Sequence, residues 1–180
     1  MVGVGLLTAI VVVLQLLGGG IRFGIFSISL VLVPIVVGAA LYGWKAGAWL
    51  GLAFGLTVLL NGDAAPFLAV HEIGTVVTVL LKGMGCGIAA GVVYKLFAKH
   101  NFLAVILAAV ICPIVNTGIF LIGCKVFFYE TISAWGAAAG FENAASYMFL
   151  GLAGINFLIE LGTNIVLAPV IVRLIRIGQK

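Results

Sequence analysis

Six apolar stretches, joined by turns as short as Gly43-Trp44-Lys45, constrain this chain more than any other feature. They run over residues 2–17, 25–42, 46–60, 75–97, 102–128 and 146–177. A helix needs about 20 apolar residues to cross a hydrocarbon layer, and these stretches, of 15 to 32 residues, bracket that length. In lipid, backbone N–H and C=O groups must be satisfied internally, which leaves helices or a closed barrel. The alternating segments of about ten residues that mark a barrel are absent. Of 180 residues, 64% are hydrophobic and 8% charged, and the mean hydropathy is +1.38. A soluble domain could not cover itself with so little polar surface. The sequence therefore predicts an all-α integral membrane protein, a six-transmembrane-helix bundle forming one transmembrane domain over residues 1–180.

Pro34 lies inside the second stretch and predicts a kink there. Residues 18–24 read as a flexible glycine-rich link. Residues 61–74 (NGDAAPFLAVHEIG) and 129–145 read as the two real loops. The net charge of +4 is scattered over helix ends, which suits orientation and anionic lipid rather than nucleic acid. If the N-terminus is cytoplasmic, Lys45, Lys95, Lys99, Arg173, Arg176 and Lys180 lie inside, and Arg22 and Lys125 outside. This bias predicts both termini in the cytoplasm. No GxxxxGK[ST] motif occurs, so any ATP-driven step needs another chain. Cys86, Cys112 and Cys124 fall in predicted spans and read as buried thiols rather than a disulfide framework. His71-Glu72 lacks the spacing of a metal site and reads as a solvated loop pair.

Polarity is misplaced in three spans. Asn156, Glu160 and Asn164 recur at i, i+4 and i+8, so a helix stacks them on one face. Lys82 sits about 12 Å into the fourth span, at 1.5 Å per residue. Asn116 and Thr117 follow Pro113 in the fifth. Ionisable groups at such depth face a cavity, a pathway or a charge partner. One reading is an outward-opening pocket in which Lys82 meets an anionic group, Asn116 and Asn156 supply directed hydrogen bonds, and Glu160 forms the deep end. The other is a structural Lys82–Glu160 ion pair with amides tying helices together. Asn164 reads as helix-packing glue, and Gln15 as a packing hydrogen bond. Phe67 and Trp135, on the two long loops, read as a lid over the ligand or as interfacial anchors. Gly47, Gly51 and Gly55 share one face of the third span, and Gly83, Gly87 and Gly91 one face of the fourth, which predicts close internal packing. Gly5 and Ala9 form a small-xxx-small pair suited to internal packing or to a second membrane protein.

With these residues in view, the chain resembles the substrate-binding S components of energy-coupling factor (ECF) transporters, the vitamin-uptake branch of ABC-type importers. The most specific stretch is 28–60. It is similar to the family pattern PIxxGAxxxGxxAGAxxGxxxGL at Pro34, Gly38, Ala39, Gly43, Ala46, Gly47, Gly51 and Gly55. Where the family often has Gly-Pro in the inner turn, this chain has Gly43-Trp44.

The resemblance implies a six-helix S-component fold in a prokaryotic cytoplasmic membrane, which captures a vitamin-like small molecule from outside. It implies a membrane-embedded coupling subunit and two cytoplasmic ATPases that use ATP, with no cofactor bound by this chain. It implies that the first span, at Gly5 and Ala9, meets the coupling subunit. Lys82 with amides and a carboxylate suggests a small anionic or zwitterionic substrate. A pantothenate-like acid is the first expectation, and riboflavin or another vitamin the alternative. An intramembrane enzyme using Glu160 or Lys82 is the reading from another class, but no GxSG-type serine, HExxH or paired aspartates accompany it. An autonomous carrier or channel would be favoured by inverted repeats, and none is visible.

Overall fold

The computed structural model describes residues 2–20, 22–23, 26–27 and 30–178. Helix α1 (Val2–Gly20) is followed by two short strands, β1 (Arg22–Phe23) and β2 (Phe26–Ser27), paired antiparallel. Then come α2 (Leu32–Tyr42), α3 (Trp44–Leu60), α4 (Ala65–Leu68), α5 (Glu72–Leu96), α6 (Asn101–Phe127), α7 (Tyr129–Ala138) and α8 (Ala144–Ser146). A π-helical stretch (Tyr147–Gly154) leads into α9 (Ile155–Val166) and α10 (Ala168–Gly178). Glu72–Leu96, Phe102–Phe127 and Ala144–Val166 are long and apolar enough to cross a membrane; Val2–Gly18, Leu32–Tyr42 and Trp44–Leu60 are shorter apolar helices. Lys180, counted above for the inner charge, lies outside the described residues.

Several elements differ from the sequence expectation. Gly18–Gly20 close α1 rather than opening a link. The second span begins as the hairpin, and its helix starts only at Leu32. Pro34 therefore occupies the first turn of α2, where an N–H has no helical partner anyway, and the expected kink does not form. The two long loops are largely helical: α4 and the start of α5 occupy the first, and α7 and α8 the second. The sixth stretch is divided. A π-helix opens it, and α9 ends at Val166, because Pro169 cannot donate to the turn before it.

Short α2 is the pillar of the bundle. It contacts α1, α3, α5, α6, α9 and α10, and its buried residues include Leu32, Ile35, Val36 and Ala39. A helix that is apolar all round belongs at such a centre. One residue, Gly43, joins it to α3, with φ 85° and ψ 175°, a conformation open essentially to glycine.

Helices α3 and α5 pack antiparallel through their glycines. A Cβ on Gly47 would meet the Gly87 carbonyl, one on Gly51 the Gly83 carbonyl, and one on Gly55 the Val79 carbonyl. Backbone lies on backbone here, as the repeated glycine spacing predicts. At the end of the seam next to Gly43 a Cβ on Gly91 would meet the Trp44 backbone. Trp49 Nε1 donates to Thr8 Oγ1 at 3.2 Å and ties α3 to α1.

Candidate functional site

At eleven residues, α2 is about 16 Å long and fills only part of the bundle's depth. Beyond it the structure forms a partly open cavity of about 460 Å³, within the range typical of small-molecule sites. Among the described residues none of the lining comes from α2. The walls come from one end of each surrounding helix: Gln15 of α1, Phe54 and Val58 of α3, Thr75 to Lys82 of α5, Asn116 to Phe120 of α6, and Asn156 to Glu160 of α9. Leu152 and Ala153 of the π-helix, Phe67 of α4, Phe128 just after α6 and the Asp63–Ala64 turn complete them.

Lys82, Asn116, Asn156, Glu160 and Phe67 are thus brought to one cavity, the first four from α5, α6 and α9 and Phe67 from α4. The Lys82 ammonium sits 5.3 Å from the centroid of Phe120 and 5.8 Å from that of Phe54, distances at which the ring faces attract a cation. It shares the cavity with Glu160, yet among the described residues no ion-pair contact joins the two. The close Lys82–Glu160 bridge is therefore not the arrangement seen. Asn116, 6% exposed, directs its Nδ2 to the Lys82 carbonyl at 3.5 Å and to Cys86 Sγ at 3.8 Å. It holds the turn of α5 that carries the lysine. Asn156 lines the cavity with a carboxamide oxygen that is buried and has no partner among the described residues. Leaving such a group unpaired costs about 1–3 kcal/mol.

Two expectations meet a different arrangement. Trp135 does not line the cavity; its ring packs edge-on to Phe67 at 5.6 Å. Phe67 also meets Phe120 at 5.7 Å and Phe128 at 5.2 Å. Phe67 is part of the wall, and Trp135, on helix α7, braces it from outside the lining. Asn164 is 1% exposed but its Nδ2 finds no partner among the described residues, so the hydrogen bond of a packing amide is not made. Helix α2, which packs on α9, buries no polar side chain there. His71, the neighbour of Glu72, is a helix cap: its Nδ1 accepts from Gly74 N at 2.9 Å at the start of α5.

Asp63 is the residue that sequence reasoning missed. It accepts from Gln15 Nε2 and from Asn61 Nδ2, each at 2.8 Å, and its own N–H donates to Asn61 Oδ1 at 3.0 Å. The signal was the Asn61-Gly62-Asp63 turn. An Asx turn that follows a span at the pocket's end sets its carboxylate in the cavity lining. Gln15, 7% exposed, is then a cavity residue that locks this turn to α1. Gly5 and Ala9 face away from the bundle, and a Cβ at Gly5 would meet nothing within 4 Å.

Over residues 1–172 the chain matches the family described as ECF transporter, substrate-specific component. The chain belongs to that family. No match was found among curated proteins or among solved structures. Family membership makes this S component the substrate-binding subunit of an ECF importer, a multi-pass membrane protein that works with a coupling subunit and ATPases on a small-molecule substrate. In that setting a cavity that gathers the misplaced polar residues at one end of the bundle is the natural candidate for the substrate site.

Proposed function

We propose that this S component captures a vitamin-like micronutrient in the 460 Å³ cavity and delivers it inward. The chain crosses a prokaryotic cytoplasmic membrane six times, with both termini inside and the cavity toward the outside. The observation that supports this reading best is Lys82. An ammonium held between two aromatic rings, in a cavity and without an ion-pair contact to Glu160, suits an anionic substrate group. Asn156 has hydrogen-bonding capacity to spare, Asn116 steadies the lysine's turn, and Glu160 receives a donor at the deep end. Phe67, braced by Trp135, forms an apolar wall.

A small acid with hydroxyl or amide donors meets these groups, so a pantothenate-like acid is the first candidate. The five phenyl rings of Phe54, Phe67, Phe120, Phe128 and Phe157 along the wall favour the second candidate, riboflavin or another vitamin with a flat ring. The exposed face of α1 at Gly5 and Ala9 meets the coupling subunit, and two cytoplasmic ATPases consume the ATP. This chain itself binds no cofactor.

Mass spectrometry of small molecules carried through purification identifies the substrate. Titration calorimetry with that molecule then tests the site. Lys82→Ala and Asn156→Ala each lose about 1.5–3 kcal/mol of binding free energy, the scale of a charge-assisted hydrogen bond, while the fold survives. Unchanged affinity in both variants would remove the cavity as the binding site.

A further inference from the structure

Helix α6 and the π-helical stretch have a second side. Phe120 and Phe128, at the end of α6, and Leu152 and Ala153 of the π-helix face the substrate cavity. Behind them, Leu121, Ile122, Lys125, Tyr129, Met148 and Phe149 wall a groove of about 400 Å³. Met148 forms its buried floor, whereas Ile122 is 65% and Phe149 61% exposed. The groove thus opens to the outside of the bundle, where a membrane protein meets lipid tails rather than water.

The polar groups of this groove are the Lys125 ammonium and the Tyr129 hydroxyl, both at the junction of α6 and α7. Among the described residues Lys125 has no ion-pair partner. The acids of the same end, Glu130 and Glu142, are not part of the lining. An apolar trough with a lysine and a tyrosine at one end is complementary to a molecule with a tail and a negative head. Lysine and tyrosine at the end of a span are also the side chains that settle at headgroup level.

We propose that this groove holds one anionic phospholipid, its phosphate accepting from Lys125 Nζ and the Tyr129 hydroxyl and an acyl chain lying along Ile122, Met148 and Phe149. Charge complementarity selects the occupant. A zwitterionic lipid brings its own cation to Lys125, and a partner helix would leave the ammonium without an anion. The site is separate from the substrate cavity and does not depend on what that cavity binds.

Native mass spectrometry of the purified chain tests the proposal, with titrations of dioleoylphosphatidylglycerol, dioleoylphosphatidylcholine and glycerol phosphate. The expected result is a single phosphatidylglycerol adduct favoured about fivefold over phosphatidylcholine, the contribution of one lysine near an anionic surface. Lys125→Ala abolishes that preference, Lys125→Arg keeps it, and Lys99→Ala, an exposed lysine at the opposite end of the chain's longest helices, leaves it intact. Phe149→Ala weakens both lipids alike. Equal adducts with the two lipids in the unmodified chain would overturn the proposal without needing any variant. Equal losses in Lys125→Ala and Lys99→Ala would reduce it to general surface charge. Displacement of phosphatidylglycerol by glycerol phosphate at similar concentration would show a phosphate site without a lipid groove and would also overturn it.

Discussion

Helix α5 shows two ways of burying a helix in a membrane. Toward α3 it presents Gly83 and Gly87, and the contact is backbone against backbone. Toward α6 it presents Lys82 and Cys86, and the contact includes hydrogen bonds donated by the Asn116 carboxamide and the wall of a cavity. The first face has no room for a methyl group; the second holds a charge and space for a molecule. The difference is one of function. Where a helix pair needs only to hold, small residues give the closest approach and the most dispersion contact. Where it must admit a ligand, large and polar side chains keep the helices apart and leave groups to be satisfied.

The seam gives the largest expected effect. In Gly83→Ala the new Cβ meets the Gly51 carbonyl, and in Gly51→Leu the side chain meets the Gly83 carbonyl and the Met84 nitrogen. Neither obstacle is a flexible chain end, so α3 and α5 must separate along their length. Overpacking of a core ordinarily costs about 1–3 kcal/mol, and backbone obstacles put both variants at or beyond the upper end. The expected outcome is a lost monodisperse peak in size-exclusion chromatography, or a melting transition lowered far below that of the unmodified protein. A normal elution profile and transition for both would mean that the seam is not as close as described.

Lys82→Met breaks the other face and should do the reverse. An ammonium in a poorly solvated site without an ion-pair contact carries a desolvation cost that an apolar side chain of similar length does not. Stability therefore holds, while substrate affinity falls by about 1.5–3 kcal/mol, read by calorimetry beside a thermal melt. Loss of stability with retained affinity would invert the assignment of the two faces.

These two faces were not equally legible. The glycine spacing of the third and fourth spans pointed to internal packing, because a one-dimensional period maps directly onto a helix face. Lys82, Asn116, Asn156 and Glu160 stood out because charged and amide groups are rare in apolar runs. What the sequence concealed was local. Pro34 signals a kink anywhere inside a helix but is harmless in a first turn, and only the boundary at Leu32 decides between them. The π-helix at Tyr147–Gly154 has no such punctuation; Gly136 and Gly151 closing on the Tyr147 ring accompany it, and that contact spans two elements. Asp63 does not stand out within residues 61–74 because its partner, Gln15, lies far away in sequence and meets it only once α1 packs beside α3.

That contact gives a smaller, third effect. Gln15→Leu removes one donor from Asp63 and leaves the Asn61 bond in place. Because the carboxylate keeps a partner, the cost in stability should be about 0.5–1.5 kcal/mol, that of an ordinary hydrogen bond. The turn in the cavity lining loses its tie to α1, so substrate should dissociate faster with little change in association. Stopped-flow binding separates the two rates, and an unchanged dissociation rate would leave Gln15 a packing residue.

The smallest effect belongs to Gly85, two residues from Gly83 on the same helix. Its Cβ would point at α6 and meet Ile119 Cδ1 at 2.6 Å, the far end of a flexible side chain, with Val115 Cγ1 next at 3.6 Å. A rotamer change at Ile119 makes room at modest cost. The substitution also gains helix propensity, about 1 kcal/mol for alanine over glycine in a helix interior. The two contributions oppose each other, so Gly85→Ala should change stability by less than about 1 kcal/mol in either direction. Gly83→Ala and Gly85→Ala add the same methyl to the same helix, and the paired melt therefore isolates what each face meets. Similar losses in both variants would show that α5 tolerates no added volume on either side, and the contrast between a dry glycine seam and an adaptable side-chain contact with α6 would fail.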